Sequence, residues 1–146
     1  MSNANKAKGT RWETALVHFL RTVGIDAYRP AQAGLRDVGD LHGLTPFVGQ
    51  AKDYKSWQDA IREGLDGAEK QKHNAGQPYG VAFIKRIRRD VRQGYAVTTV
   101  ATFAHVLVRL RRAEKLLATY AAQHEVEEHF RSVSTECGDI FDGRTT

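Results

Sequence analysis

At 146 residues the chain is long enough for one domain with a real core and too short for two of comfortable size. Hydrophobic residues at 41% and charged residues at 27% fit a globular protein, and no apolar run approaches the roughly 18 residues that a membrane-spanning helix needs. The net charge of +5 is unevenly spread: residues 1–112 hold 19 Lys/Arg against 10 Asp/Glu and residues 113–146 hold 3 against 7, so a basic body suited to a polyanion precedes an acidic tail.

Residues 1–9 are small and polar, carry no signal-peptide pattern, and read as a flexible N-terminus. From Arg11 to Val23, Trp12, Ala15, Leu16, Phe19, Leu20 and Val23 mark one face of an amphipathic helix, with Thr10 placed to cap its start and Gly24 to stop it. "IDAYR" reads as a short strand and "PAQAGLRDVG" as a Pro/Gly loop. "DLHG" and "PFVGQAKDY" then read as two strands joined by a turn around Gly43 to Pro46. Ser56 followed by Asp59 predicts a capped helix whose apolar stripe is Trp57, Ala60, Ile61, Leu65 and Ala68. "YGVAFIKR" and "YAVTTVA" are predicted strands, with "IRRDVRQG" as a basic connection. A long helix is predicted from Phe103 through Val106, Leu107, Leu110, Leu116, Leu117 and Tyr120, with a break before "EVEEHF". The single cysteine, Cys137, excludes a disulfide framework and a cysteine-rich zinc site, and favours a reducing, cytoplasmic setting. The order of elements implies an α/β protein: a mixed sheet with helices on its faces.

One stretch is awkward for a buried strand. "GDLHGLTPFVGQAK" places Asp40, Gln50 and Lys52 beside an apolar core, and charges there are costly unless something pairs them. Gln50 and Lys52 are two apart and share a strand face; Asp40, across a turn, can reach it. A carboxylate, an amide oxygen and an ammonium at one sheet edge suit metal-assisted phosphodiester hydrolysis. The oxygens are hard ligands for Mg²⁺, the ion activates water, and the lysine orients that water or stabilises charge on the phosphate.

"GDL" followed by "QAK" resembles the PD-(D/E)XK nuclease signature, with Gln50 where an acidic residue is usual. "KGTRWE" resembles the motif that precedes it in archaeal-type and phage-type Holliday junction resolvases, and the shared order of elements covers residues 8 to about 110. The resemblance implies a single-domain restriction-endonuclease-like sandwich, with a nuclease domain over residues 10–112; the helical pattern and charge beyond it read as a C-terminal helical extension with an acidic, partly disordered tail over residues 113–146. It also implies a homodimeric, Mg²⁺-dependent endonuclease, with Mn²⁺ as a substitute ion, that cuts four-way DNA junctions. Carried over residue by residue, Glu13 and Asp40 become metal ligands, Gln50 takes the third ligand position, and Lys52 is the catalytic lysine.

Other readings stay open. Glutamine leaves two carboxylates where three are usual, which weakens metal affinity and admits a nuclease-like DNA-binding protein with no catalysis. An endonuclease of the same fold acting on linear or damaged duplex is a further alternative. Glu13 can be an ordinary surface charge, Asp40 a turn residue with Asp37 as rival for its role, and Lys52 a cation whose stem packs at a strand end. Lys85, Arg86, Arg88, Arg89 and Arg92 form a candidate phosphate-contacting hairpin, extended by Lys8, Arg11 and Lys55 and by Lys70 and Lys72, with Arg29 and Arg36 flanking the site. "HEVEEH" spaces His124 and His129 five apart, against the four that one-face zinc ligation needs, and "KHNAG" has no partner histidine or cysteine pair. No glycine-rich phosphate loop is present, so no nucleotide cofactor is expected.

Overall fold

The structure is a computed structural model that describes residues 3–30, 39–120 and 129–133. The chain divides into two compact units, Met1–Thr99 and Val100–Thr146. The first is mixed α/β. Its opening helix, α1, runs Asn3–Thr22 and so starts well before the expected cap at Thr10. Alanine and lysine before Thr10 are good helix formers, and the Thr10 carbonyl instead accepts the Thr14 hydroxyl at 2.8 Å. Gly24, at φ 83°, ends the helix as expected, donating to the Arg21 carbonyl at 3.1 Å.

Two expected strands shrink to isolated bridges. Tyr28 pairs with His42, and Leu41 pairs with Gly49, both antiparallel. Gly39 and Gly43 bracket this segment at φ 97° and 76°, and those left-handed turns leave only residues 40–42 to extend between them. The sheet proper has three strands in the order β1 (Phe47–Lys52), β2 (Tyr79–Ile84), β3 (Tyr95–Val97). β1 and β2 are parallel, with Gln50 opposite Ala82 and Lys52 opposite Ile84, while β2 and β3 are antiparallel. "YAVTTVA" thus contributes only three strand residues.

A parallel pair needs a crossover, and α2 (Trp57–Asn74) supplies it. Ser56 caps α2 as the sequence predicts, accepting from the Asp59 amide at 3.3 Å. The two helices take opposite sheet faces. Trp12 and Leu16 of α1 pack with Leu41, Ala51 and Phe83, and the Trp12 indole donates to the Phe83 carbonyl at 3.1 Å. Ala60 of α2 packs with Ala82 and Ile84 on the other side, with Ile61, Leu65 and Val97 around them. Trp57 departs from its expected place in that stripe: it is 53% exposed, because β1 and β2 stop at Lys52 and Ile84 and the first turn of α2 overhangs them.

The second unit contains α3 (Val100–Tyr120). Its expected apolar positions Leu110, Leu116, Leu117 and Tyr120 are exposed. The predicted break before "EVEEHF", His124, Cys137 and most of the acidic tail lie outside the described residues. No helix among the described residues is long and apolar enough to cross a membrane.

α2 approaches the sheet closely because glycines face it. A Cβ on Gly80 would lie 2.7 Å from the Ala68 carbonyl carbon and oxygen, which are backbone atoms that cannot rotate away. Gly80→Ala is therefore expected to lower stability by about 1–3 kcal/mol, the usual cost of overpacking a closed core. A matching fall in the urea midpoint at unchanged slope would verify it.

Candidate active site

The site is built where the backbone pairing of residues 40–42 runs out. The Asp40 and Leu41 amides both donate to the Gly49 carbonyl at 3.0 Å, and the Gly49 amide returns a bond to the Leu41 carbonyl at 3.1 Å. Alternate residues of a strand present their backbone groups to the same side, so the Ala51 amide also faces this edge. Among the described residues no backbone carbonyl receives it. The Asp40 carboxylate accepts it instead, Oδ2 lying 2.9 Å from the nitrogen.

The same oxygen accepts a hydrogen bond from the Gln50 side-chain amide. Gln50 is only 6% exposed, so this bond and the carboxylate satisfy a polar group that would otherwise be stranded in the core. Its Oε1 faces α2, where a Cβ on Gly67 would come within 3.1 Å of it, a contact tight enough that the amide would have to shift. Lys52 shares the Gln50 face. Its stem packs near Gly64, and its ammonium lies 5.8 Å from the centre of the Tyr54 ring, within cation–π range. The Tyr54 hydroxyl donates to Glu63 at 2.9 Å. Burial, the Glu63 carboxylate and the more distant charge of Asp40 together push the phenol above its ordinary value, so Tyr54 stays neutral and donating.

Of the residues singled out in the sequence, the fold brings Asp40, Gln50 and Lys52 to one strand end. Glu13 is differently engaged. On α1, its carboxylate pairs with Arg29 at 2.6 Å, and among the described residues no hydrogen bond or ion pair joins it to Asp40, Gln50 or Lys52. Asp37 and Arg36 lie outside the described residues. Among the described residues, no three His, Cys, Asp or Glu side chains gather as a metal-binding group. Asp40 and Gln50 bring one carboxylate and one amide together at the strand end. With the amide as it stands, Gln50 offers Asp40 its donor; a half-turn exchanges the two ends and puts the amide oxygen beside the carboxylate, a pair of hard donors suited to Mg²⁺.

The candidate phosphate contacts are dispersed. Lys8 and Arg11 are exposed on α1. Arg92 pairs with Asp90 at 2.8 Å, and that contact with Arg92 lowers the Asp90 carboxyl below its ordinary value. Lys72 pairs with Glu69, and Lys85 with Asp53 at 2.7 Å. Among the described residues, Lys55, Arg86, Arg88 and Arg89 enter no ion pair, and Arg86 lies over the Tyr95 ring at 4.9 Å. The aromatic company of these cations is not marked in the sequence. Tyr54 carries no pattern of its own and Trp57 matches the apolar stripe of α2; the one available signal is that Trp57 directly follows a cap, where a helix has barely begun.

Compared with family models, curated proteins and solved structures, the chain matches none.

Two substitutions separate the charge of Asp40 from its bonding role. Asp40→Asn keeps an oxygen to accept from Ala51 and Gln50, so the fold should be retained. Asp40→Ala strands a strand amide and a buried side-chain amide and should cost about 1–3 kcal/mol for each donor left unpaired. Urea unfolding of both variants beside the parent checks the difference.

Proposed function

We propose that the chain is a Mg²⁺-dependent DNA endonuclease of restriction-endonuclease-like architecture, acting on branched DNA with the four-way junction as first substrate. One observation carries most weight. The Asp40 carboxylate is tied to the backbone of Ala51, so a carboxylate, an amide and an ammonium share one strand end. The mixed α/β arrangement around it, with a helix on each sheet face, is the coarse frame that the resemblance of "GDL" and "QAK" to the PD-(D/E)XK signature implies, with two of the expected strands reduced to isolated bridges.

In this reading Asp40 and Gln50 would hold the ion, which when bound polarises the phosphoryl group and acidifies a water. Lys52, half-buried on the same face, supplies positive charge where the phosphate gains negative charge. Hydrolysis forms a bond from the water oxygen to phosphorus, breaks one bridging P–O bond, and transfers the water's proton through solvent to the leaving oxygen. Glu13, paired with Arg29, joins the ion only if that pair opens. Lys55, Arg86, Arg88 and Arg89, which enter no ion pair among the described residues, bind backbone phosphates, a contact that positions DNA without reading its sequence. A homodimer, favoured by symmetric cleavage of a junction, has an apolar surface available in the exposed leucines of α3. A DNA substrate and a single cysteine agree with a cytoplasmic site of action.

A second reading is favoured by the Gln50 amide donating to Asp40 and by the Arg29–Glu13 pair: a protein of this fold that binds DNA without cutting it. Labelled four-way junction and matched linear duplex, each with and without Mg²⁺, distinguish the readings. Junction-selective nicking supports the proposal, equal nicking moves the substrate to linear duplex, and binding without nicking supports the second reading. Lys52→Ala should reduce cleavage by roughly 10²–10³-fold while junction binding in chelator persists; a variant that cuts normally removes Lys52 from the site. Gln50→Glu should lower the Mg²⁺ concentration that cleavage requires, and an unchanged requirement would place Gln50 outside the metal shell.

A further inference from the structure

Beyond the ends of β1 and β2, the overhanging turn of α2 and the basic connection to β3 enclose a cleft of about 190 Å³. Six of the side chains that line it are Tyr54, Lys55, Trp57, Arg86, Arg89 and Tyr95. Three are aromatic and three cationic. Trp57 and Tyr95 are exposed, unusual for residues with so much apolar area to bury. Burial does not account for them, and neither does ion pairing for the cations, since Lys55, Arg86 and Arg89 enter none among the described residues.

The cleft is too small for a drug-sized ligand, whose pockets run to roughly 300–1,000 Å³. A single planar ring is a better match. Aromatic faces open to solvent and flanked by positive charge are the combination that takes single-stranded nucleic acid, with bases stacked on rings and phosphates on cations. A fully paired duplex keeps its bases stacked on one another and presents mainly its phosphates. The cleft also adjoins the proposed active site: Tyr54 is one of its walls, and the Lys52 ammonium lies 5.8 Å from the centre of that ring.

We infer that this cleft binds an unpaired segment of a DNA strand, stacking a base on Trp57 while Lys55, Arg86 and Arg89 hold the adjoining phosphates. The inference rests on the nuclease reading, which it deepens by specifying that the DNA is held beside Lys52 through an unstacked base. Arg86 is pre-set for the purpose, because the Tyr95 ring and the Gln93 carbonyl, 3.4 Å from its guanidinium, fix the side chain without neutralising it. Lys85, lining the same cleft, is held by Asp53 and is not counted among the phosphate contacts.

The test uses the full chain in chelator, so that cleavage plays no part. Tryptophan emission is followed while an oligothymidylate, an abasic strand of equal length and a ribo-oligomer of matching sequence are added separately. The two tryptophans are distinguishable, since Trp12 is buried at 4% exposure and Trp57 is open. The expected result is quenching by the oligothymidylate at an affinity roughly ten-fold above that of the abasic strand, which has the phosphates without the bases. In Trp57→Phe the remaining emission should not respond to the strand, although the binding preference for bases should persist in a gel-shift assay. In Trp57→Ala the preference should be lost, with circular dichroism confirming the fold. Equal affinity for the abasic strand, or wild-type emission unmoved at saturation, overturns the inference, and tighter binding of the ribo-oligomer overturns its assignment to DNA. Junction cleavage with Mg²⁺, assayed separately, keeps the two claims apart: cleavage without base-dependent binding sinks only the cleft, and base-dependent binding without cleavage sinks only the nuclease.

Discussion

β1 pairs with β2 along one side, and on its other side, among the described residues, Leu41 and Asp40 accompany it. The positive-φ glycines at 39 and 43 turn the chain at both ends of that segment, and the Ala51 amide bonds to a side chain at this edge. An unpaired strand amide at a half-buried position costs on the order of 1–3 kcal/mol. Asp40 removes that cost by placing a carboxylate oxygen where a further strand beside β1 would have placed a carbonyl. The rest of the site follows from this one bond. The oxygen that completes the ladder also receives the Gln50 amide, and the next residue on that strand face is Lys52. A charge introduced for the sake of backbone pairing thereby becomes the charge around which a polar site can form.

Close packing on the far face makes the arrangement specific. Gly64 and Gly67 of α2 lie against Lys52 and Gln50, and Gly80 of β2 lies against the Ala68 backbone. With no Cβ atoms between them, helix and strand approach until the Gln50 amide is enclosed and the Lys52 stem is confined. A confined lysine stem loses less freedom when its ammonium engages a phosphate, which is the physical sense of pre-organisation. The same helix, continued one turn beyond the strand ends, holds Trp57 out in solvent beside the cations of the β2–β3 connection. Two features with different chemistry, a polar strand end and an aromatic cleft, thus arise from one helix lying on one short sheet.

The two acidic residues implicated by the nuclease resemblance behave differently for a reason rooted in their elements. Asp40 is held by bonds to the strand itself, so its position is as rigid as the sheet. Glu13 is on a helix surface and answers to the partly exposed Arg29, a weaker and more exchangeable partner. If an ion does bind at the strand end, Asp40 is already in place and Glu13 must give up a salt bridge to join it. That asymmetry is open to direct measurement through the metal dependence of each position.

Local periodicity determined a good deal by itself. The capped start of α2 was readable from Ser56 and Asp59, since a cap depends only on residues three apart, and the shared face of Gln50 and Lys52 followed from the two-residue repeat of a strand. The glycine stop of α1 was equally local. What tertiary structure alone decided was every contact whose partners are distant in sequence: the Asp40 bond to Ala51, the engagement of Glu13 by Arg29, and the exposure of Trp57. Each depends on where a strand ends or which backbone lies alongside it, and a linear pattern of apolar and polar residues does not contain those lengths. Trp57 shows this most directly, because its spacing matched the buried stripe of α2 and only the end of the sheet beneath it left the ring in water.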